Sequence, residues 1–311
     1  MTYEHVPVLL WEAIEGLSIR PDGIYVDLTL GRGGHSSEIL KRIPDGKLYC
    51  FDQDQEAIRC SGSRLRTIGE NFEMIASNFE FVAEELAKRG VRKVDGILAD
   101  LGVSSPQLDD PTRGFSYKEE EPLDMRMNRE SPLTASKVCN EYSFEELVRI
   151  LREYGEEKDA YRIAKAICSR RAESPLRTTL DLVSCVKDAK NWKDLSKKGH
   201  PAKQTFQAIR IEVNHEARSL ERMLEIAPSL LGPGGRLAII SFMSIDDRLV
   251  KERFRELSEQ TGSRHGPIEM PGAIRQPEFA LVNRKPIVPS SEELENNRRA
   301  ASAKLRILAK K

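Results

Sequence analysis

The sequence predicts an α/β fold, a doubly wound and mostly parallel sheet, with an inserted all-helical domain. Three observations lead to it. Short apolar runs of strand length alternate with segments of helical period early in the chain, turn residues precede several of these runs, and a long charged helical stretch separates them from a last strand. Alternation of strand and helix requires crossover connections, which join parallel strands.

The strands and helices follow in order from these patterns. Strands are predicted at residues 24–28, 47–52, 72–76, 94–101 and 236–242. Helices are predicted at residues 36–43, 81–88, 143–153, 158–171 and 220–231. The turns Pro-Asp-Gly at 21–23 and 44–46 and Pro-Gly-Gly at 233–235 each precede a predicted strand.

The alternation of strands and helices stops near Leu108, and the sequence that follows has a helical period and many charged residues. Ser143 followed by Glu146 is a capping-box start for one of its helices. We therefore predict a discontinuous α/β domain made of residues 1–108 and 214–311. Residues 109–213 form the predicted helical insertion, for which we expect a role in substrate recognition.

Composition excludes several classes of protein. The 311 residues suffice for one large or two modest domains, and the chain has 49 basic and 49 acidic residues, so it is not basic overall. No apolar run reaches the roughly 18–20 residues of a membrane span, and the N-terminus lacks the pattern of a signal peptide. Five scattered cysteines without a CxxC pair fit neither a disulfide framework nor a zinc site. We expect a cytoplasmic protein with no membrane partner.

A glycine-rich loop follows the first strand, with the text Thr-Leu-Gly-Arg-Gly-Gly-His-Ser at residues 29–36. Glycines let the backbone approach a ligand closely, and Asp52 ends the second strand, where a carboxylate can accept two ribose hydroxyls. A dinucleotide is one candidate ligand, but Ser36 replaces the third glycine of its fingerprint. S-adenosylmethionine is the favoured one, with Asp27 placed to meet its ammonium group. A loop that only makes a tight turn is the third interpretation.

The loop after the fourth strand holds the predicted chemistry. Asp100, Ser104 and Gln107 supply hydrogen-bond acceptors at a strand tip beside the switch point of the sheet. The exocyclic amine of a base is a weak nucleophile, so a site that methylates it needs acceptors for its N–H groups and alignment on the methyl donor. No metal is required for that reaction. The alternative is that Ser-Ser-Pro only caps and turns the chain.

Motifs along nearly the whole chain resemble the RsmH (MraW) family of bacterial methyltransferases. The matching stretches are residues 5–9, 27–36, 100–109, 113–116, 123–127, 154–157, 200–202, 205–210, 233–237 and 302–306. The resemblance implies a class I methyltransferase, Rossmann-like fold with S-adenosylmethionine as co-substrate and no metal. It implies cofactor contacts from these residues: Gly33, Gly34, His35, Asp52, Phe79, Asp100 and Gln107.

The same resemblance implies the reaction, which is methylation of the N4 amine of a cytosine in 16S rRNA, near the decoding centre. Asp100 and Ser104 are then the predicted catalytic residues. The base would be flipped into a cleft between the α/β domain and the insertion. The partner is small-subunit rRNA or the assembled small ribosomal subunit, and a homodimer stays open.

Four basic residues are predicted to bind the RNA. Arg113 and Arg126 lie in insertion motifs next to aromatic or apolar residues, which suits a pocket for a flipped base; the alternative is a salt-bridged hinge that packs the insertion on the core. Lys203 and Arg210 belong to a basic excess over residues 187–210, and a second excess follows residue 295. Each basic stretch either contacts the phosphates along an RNA strand or forms a solvated face.

One departure from the family pattern lies after the last predicted strand. Met243 occupies a position where the family usually has histidine, which predicts an altered or slower site. It leaves two alternatives open: an RNA-binding ribosome-assembly factor with a decayed active site, and an amino-methyltransferase that acts on DNA or protein.

Overall fold

The computed structural model describes residues 7–196, 199–259 and 276–311, with the side chain of Asp194 left out. The motif residues His5 and Val6 and two lysines of the basic stretch, Lys197 and Lys198, lie outside the described residues. The chain divides into two compact units, which are Met1–Gly102 with Ser219–Lys311, and Val103–Arg218.

Seven strands form one sheet. They are β1 (Ile24–Asp27), β2 (Lys47–Asp52), β3 (Phe72–Ala76), β4 (Val94–Asp100), β5 (Leu231–Ser241), β6 (Phe279–Leu281) and β7 (Lys304–Lys310). All five predicted strands are confirmed. β5 begins earlier than predicted because the Pro-Gly-Gly turn lies inside its irregular start, where the register against β4 shifts.

The described residues also form fourteen α-helices. They are α1 (Leu10–Leu17), α2 (Gly34–Leu40), α3 (Gln55–Arg66), α4 (Val82–Lys88), α5 (Ser105–Asp109), α6 (Ala135–Glu141), α7 (Phe144–Glu153), α8 (Ala160–Glu173), α9 (Thr179–Ala189), α10 (Trp192–Leu195), α11 (Lys203–Val213), α12 (Glu216–Leu230), α13 (Ser244–Ser258) and α14 (Ser291–Asn296). Two short 3₁₀ segments, Phe79–Phe81 and Arg298–Ser302, complete the elements.

The strand order is β3-β2-β1-β4-β5-β7-β6. The first five strands are parallel, and β7 is antiparallel to both β5 and β6. The order runs outward in opposite directions from β1 and from β4, so the switch point of the sheet lies between these two strands. This is the predicted doubly wound, mostly parallel α/β fold.

Both faces of the sheet are apolar. Successive residues of β4 alternate between two hydrophobic clusters, with Ile97 and Ala99 in one and Leu98 in the other, as the two-residue period of a strand requires. Helices α1 and α2 contribute to the cluster on one face, and α4, α12 and α13 contribute to the other. Helices therefore cover both faces, as expected for a sheet built from crossover connections.

The second unit has a hydrophobic core of its own. Helices α6 to α9 and α11 supply most of its buried side chains. The predicted capping box of α7 is confirmed, because Glu146 N donates to Ser143 Oγ at 3.2 Å and Ser143 N donates to Glu146 Oε2 at 2.7 Å.

The boundaries between the units differ from those predicted at 108/109 and 213/214. Val103 and Leu108 pack against the core of the second unit, and the side chain of Asn214 hydrogen-bonds to the backbone of Met125 and Met127. Residues just outside the predicted insertion therefore belong to its compact unit. A role for this unit in substrate recognition stays a prediction.

The basic stretch after residue 295 contains a strand that the sequence analysis did not anticipate. Leu305, Ile307 and Leu308 in β7 are buried, and Arg306 is only 9% exposed. The guanidinium of Arg306 donates to Asp247 at the start of α13 at 2.7 Å, and Lys304 Nζ donates to the same carboxylate at 3.0 Å. Neither a phosphate-binding tail nor a solvated face describes Arg306, because its guanidinium is buried and Asp247 compensates its charge.

Candidate functional site

Three carboxylates end neighbouring strands at one edge of the sheet. Asp27, Asp52 and Asp100 are the last residues of β1, β2 and β4. The three strands are parallel and adjacent, so these residues lie along the same carboxyl edge, on both sides of the switch point. Ligands of open α/β sheets bind in the crevice at this place.

The glycine-rich loop is fixed by contacts on both sides. Gly31 and Gly33 have φ angles of +49° and +70°, a region that side chains disfavour. Gly31 N donates to Asp52 Oδ2 at 2.9 Å, and Ser61 Oγ on α3 donates to Gly31 O at 2.6 Å. The loop is thereby held between the tip of β2 and α3, and it delivers Gly33 to the N-cap position of α2.

Asp27 is almost completely buried and supports the same loop. Ser36 Oγ donates to its carboxylate at 2.6 Å, and Thr29 N donates at 3.0 Å. Burial raises the pKa of Asp27 although these hydrogen bonds lower it. Thr29 Oγ1 in turn accepts a hydrogen bond from Asp100 N at 2.6 Å and so links the tips of β1 and β4. The predicted ammonium contact of Asp27 stays a prediction.

Asp52 accepts hydrogen bonds from two backbone groups, Gly31 N and Asp54 N, each at 2.9 Å. Burial raises its pKa to about 6. A carboxylate has about four lone-pair positions, so Asp52 retains capacity for further donors after these two bonds. The predicted role on ribose hydroxyls is compatible with this geometry.

Asp100 has an unpaired buried oxygen. Its Oδ1 is buried and has no hydrogen-bond partner among the described residues, whereas Oδ2 lies 3.8 Å from His35 Nδ1. Burial, with the nearby Asp27 charge, raises the pKa of Asp100 to about 8. Leaving a buried acceptor unsatisfied costs about 1–3 kcal/mol, and a donor group bound in the crevice would remove that cost.

His35 and Phe79 were suggested by resemblance alone. His35 lies in the first turn of α2, 6% exposed, with Nε2 3.2 Å from Val8 O. It therefore contacts Asp100 as well as the backbone before α1. Phe79 opens the 3₁₀ segment after β3 and packs, partly buried, against the core. Their predicted cofactor contacts stay untested.

Ser104 and Gln107 belong to the second unit and form a capping box on α5. Gln107 Oε1 accepts a hydrogen bond from Ser104 N at 3.0 Å, and Gln107 is 6% exposed. The local interpretation of Ser-Ser-Pro as a cap is thus confirmed. The predicted roles of Ser104 on the amine and of Gln107 on the donor stay predictions.

Three of the four predicted RNA-binding residues make internal contacts. Arg113, 3% exposed, donates to the carbonyls of Arg126 and Met127 at 3.0 Å, and its guanidinium carbon lies 5.9 Å from the Phe115 ring. Arg126 makes a two-pronged contact with Asp124, at 2.9 and 2.7 Å.

Arg210 contacts Glu216 in the same two-pronged way, at 2.8 and 2.9 Å. Lys203, in contrast, is exposed at the start of α11. The contacts of Arg113 and Arg126 lie within the second unit, where they engage both guanidinium groups. The phosphate role survives most readily for Lys203, and none of the four roles is tested.

Sequence analysis did not single out the residues that hold the site together. Thr29 and Ser61 hydrogen-bond the tip of β4 and the glycine loop, and Ser36 appeared only as a missing glycine. A small hydroxyl residue within or opposite a glycine loop is the only signal for them, and it is common. Met243 occupies the N-cap position of α13, two residues after β5 ends.

Across residues 7–196, 199–259 and 276–311, no three His, Cys, Asp or Glu side chains are grouped so as to hold a metal ion. Within the same residues, no helix combines the length and the apolar character that a bilayer crossing requires. The five cysteines are free.

Comparisons with known proteins identify the family of this chain. The sequence matches the model of the MraW methylase family over residues 2–311. A protein of Limosilactobacillus fermentum named ribosomal RNA small subunit methyltransferase H is 50% identical over 308 residues, covering 98% of each chain. A protein of the same name from Exiguobacterium sibiricum is 51% identical over 308 residues, covering 99% of this chain and 98% of its own.

Among solved structures, an rRNA methylase from Streptococcus thermophilus covers 98% of both chains with a TM-score of 0.41 and 14% identity, which is too weak a similarity to argue from. The family match spans almost the whole sequence and agrees with the doubly wound, mostly parallel sheet. This chain belongs to the MraW methylase family, and it is a methyltransferase.

Proposed function

We propose that this protein transfers a methyl group from S-adenosylmethionine to the N4 amine of a cytosine in 16S rRNA, near the decoding centre, and that it works in the cytoplasm. The names of its relatives support RNA of the small subunit as the substrate. The observation that carries the proposal is the buried Oδ1 of Asp100 at the switch point, which has no hydrogen-bond partner among the residues that the structure describes. This oxygen is a hydrogen-bond acceptor, and the N–H of a substrate amine would be its donor.

The residues of the crevice fit the methyl donor. The positive φ angles of Gly31 and Gly33 let the backbone turn closely around a ligand, and Asp52 has lone pairs left for ribose hydroxyls. Gly33, Gly34 and His35 would hold the amino-acid end, Phe79 would lie beside the adenine, and Gln107 would also contact the donor. When bound, the sulfonium supplies an already activated methyl group.

Asp100 is the group that acts on the acceptor base. Its carboxylate accepts an N–H of the cytosine amine and orients the nitrogen lone pair, and Ser104 provides a second acceptor. His35, 3.8 Å from Asp100 Oδ2, limits the orientations of that carboxylate. A proton must leave the amine after transfer, and water can accept it, so Met243 in place of histidine leaves the reaction possible but slower.

The test is methyl incorporation into small ribosomal subunits from a strain that lacks this enzyme, followed by mapping of the modified base. We expect N4-methylcytosine with the wild type and no product with Asp100→Ala. Asp22→Ala is the matched control, because Asp22 is exposed in the turn before β1, at the opposite edge of the sheet. Normal turnover by Asp100→Ala contradicts the assignment.

Met243 favours one alternative, an assembly factor whose active site has decayed. Calorimetry with S-adenosylmethionine distinguishes this factor from an active methyltransferase, since a decayed site does not bind the donor. Nucleoside and peptide mass spectrometry of the same reactions shows whether DNA or protein accepts the methyl group instead. Parallel reactions with naked rRNA and with subunits identify the substrate form, and a homodimer stays a prediction.

A further inference from the structure

A tryptophan on the second unit is unusually exposed. Trp192 begins α10 and is 79% exposed, more than any other large hydrophobic side chain that the structure describes. Tryptophan is mostly buried in folded proteins, because its large indole ring is costly to leave in water. An indole displayed in this way suits contact with another flat, apolar surface.

The surroundings of Trp192 are basic. Residues 187–203 contain six lysines and two aspartates. Lys187 and Lys193, on either side of Trp192 in sequence, are exposed, as is Lys203. Asp188 is also exposed, and Glu157 is already paired with Lys190. The six lysines of residues 187–203 exceed the two aspartates by four, so the segment carries a net positive charge.

The segment that carries Trp192 is anchored on both sides. Lys190 is 7% exposed in its side chain and forms a buried ion pair with Glu157 at 2.8 Å. The same ammonium donates to Pro201 O at 2.8 Å and so joins the residues before α10 to those after it. An indole on a tethered segment loses little conformational freedom when it binds, which favours recognition.

We propose that Trp192 forms a binding site for single-stranded RNA, with a base stacked on the indole and phosphates held by Lys187 and Lys193. Aromatic stacking combined with lysine contacts to phosphate is the general mode of single-strand binding. The positive charge favours a polyanion, and one indole is too small an apolar area for a stable protein interface. The inference rests on the proposed function in taking RNA as the substrate.

The chain offers a matched pair of reporters, since it has only two tryptophans, Trp11 and Trp192. Trp11→Phe leaves Trp192 as the single indole, and Trp192→Phe leaves Trp11, which is 54% exposed in α1. We expect a mixed-sequence, single-stranded RNA 12-mer to quench the fluorescence of the first variant and not that of the second. Absence of quenching at Trp192, or quenching by ribosomal protein but not by RNA, overturns the proposal.

Charge variants test the phosphate contacts. Lys187→Gln with Lys193→Gln removes two cations, so the slope of log affinity against log salt falls by about 1.4 for single-stranded RNA. Lys88→Gln is the control, because Lys88 is exposed at the end of α4 and belongs to the unit that does not carry Trp192. An unchanged slope contradicts the role of the two lysines.

The methylation assay separates this inference from the proposed function. Trp192→Ala is expected to raise KM for subunits several-fold with kcat unchanged, because it removes binding that is equal in the ground and transition states. If the wild type does not methylate subunits, the proposed function fails. If both reporter variants methylate subunits and Trp192 shows no quenching, only the RNA site at Trp192 fails.

Discussion

The Asp100 carboxyl group is stabilised by very few contacts for a group in its position. One oxygen has no hydrogen-bond partner in the described part of the chain, and the other lies 3.8 Å from an imidazole nitrogen. Asp27 and Asp52, by comparison, each accept hydrogen bonds from backbone groups of the loop. The difference separates two carboxylates that hold the glycine loop in place from the one for which we propose a contact with the substrate.

This difference predicts a pH dependence. The pKa of Asp100 is raised to about 8, so its ionised form increases as pH rises through that value. The ionised form accepts the amine N–H, so kcat/KM for methylation is expected to rise between about pH 6 and 9 and then level off. This rise is measured as a pH profile of kcat/KM. In the control variant Ser104→Ala, kcat/KM is expected to rise over the same pH range. A profile that is flat over this range argues against Asp100 as the acceptor.

Arg113 and Lys203 are expected to behave oppositely. Arg113→Ala removes two hydrogen bonds from a buried charge to the Arg126 and Met127 carbonyls, so we expect a loss of about 3 kcal/mol in the free energy of unfolding. Lys203→Ala changes an exposed residue, so stability stays within about 0.5 kcal/mol while RNA binding weakens. Urea denaturation of both variants measures the loss of stability, and RNA titration measures the loss of binding. A stable Arg113→Ala that binds RNA poorly would restore its substrate role.

Residue types show what the sequence can and cannot reveal at this scale. Asp52 and Asp100 could be identified because a carboxylate at the end of a parallel strand has a predictable position. Arg113 could not, because an arginine beside an aromatic residue has the same sequence pattern whether it binds a phosphate or a buried carbonyl. The structure separates these roles through burial, which depends on contacts between residues distant in sequence.

At the scale of elements, the turn at Gly114 is constrained by the backbone of Pro122. Gly114 has a φ of +70°, and a Cβ atom there would lie 2.0 Å from Pro122 O. Backbone cannot move aside as a flexible side chain can. This turn therefore accepts only glycine.

We expect Gly114→Ala to lower the free energy of unfolding by about 3 kcal/mol or more, from backbone strain together with the clash. Gly90→Ala is the matched control, since Gly90 has a φ of +75° and nothing within 4 Å of an added Cβ. It should cost only about 1 kcal/mol, the conformational penalty alone. Chemical denaturation compares the two. Equal losses would show that the contact with Pro122 is relieved.

The pattern of strands and helices was largely predictable, because hydrophobic period and turn residues are local signals. β2 and β3 have the predicted bounds, and α7 begins at its predicted cap. β7 was missed because its text, Lys-Leu-Arg-Ile-Leu-Ala-Lys, places charges where a buried strand is not expected. The carboxylate that compensates Arg306 lies 59 residues away in sequence.

At the scale of the whole molecule, the chain has two compact units with separate hydrophobic cores. A ligand of the glycine loop stabilises the unit it binds, by about 2.7 kcal/mol at 100 times its Kd. We expect S-adenosylhomocysteine to slow hydrogen exchange in β1, β2 and β4 and to leave the amides of α7, α8 and α9 unchanged. Uniform slowing across both units would show that they unfold as one.

The position of β7 has a consequence for synthesis. Among the strands that the structure describes, β6 pairs with β7 alone, and β7 separates it from β5. Until the ribosome has translated the codons for residues 304–310, the edge of β5 that pairs with β7 is exposed, and Asp247 lacks its partner Arg306. Such an open edge invites pairing with other chains. A transcript truncated upstream of those codons should therefore yield aggregates rather than a slower enzyme.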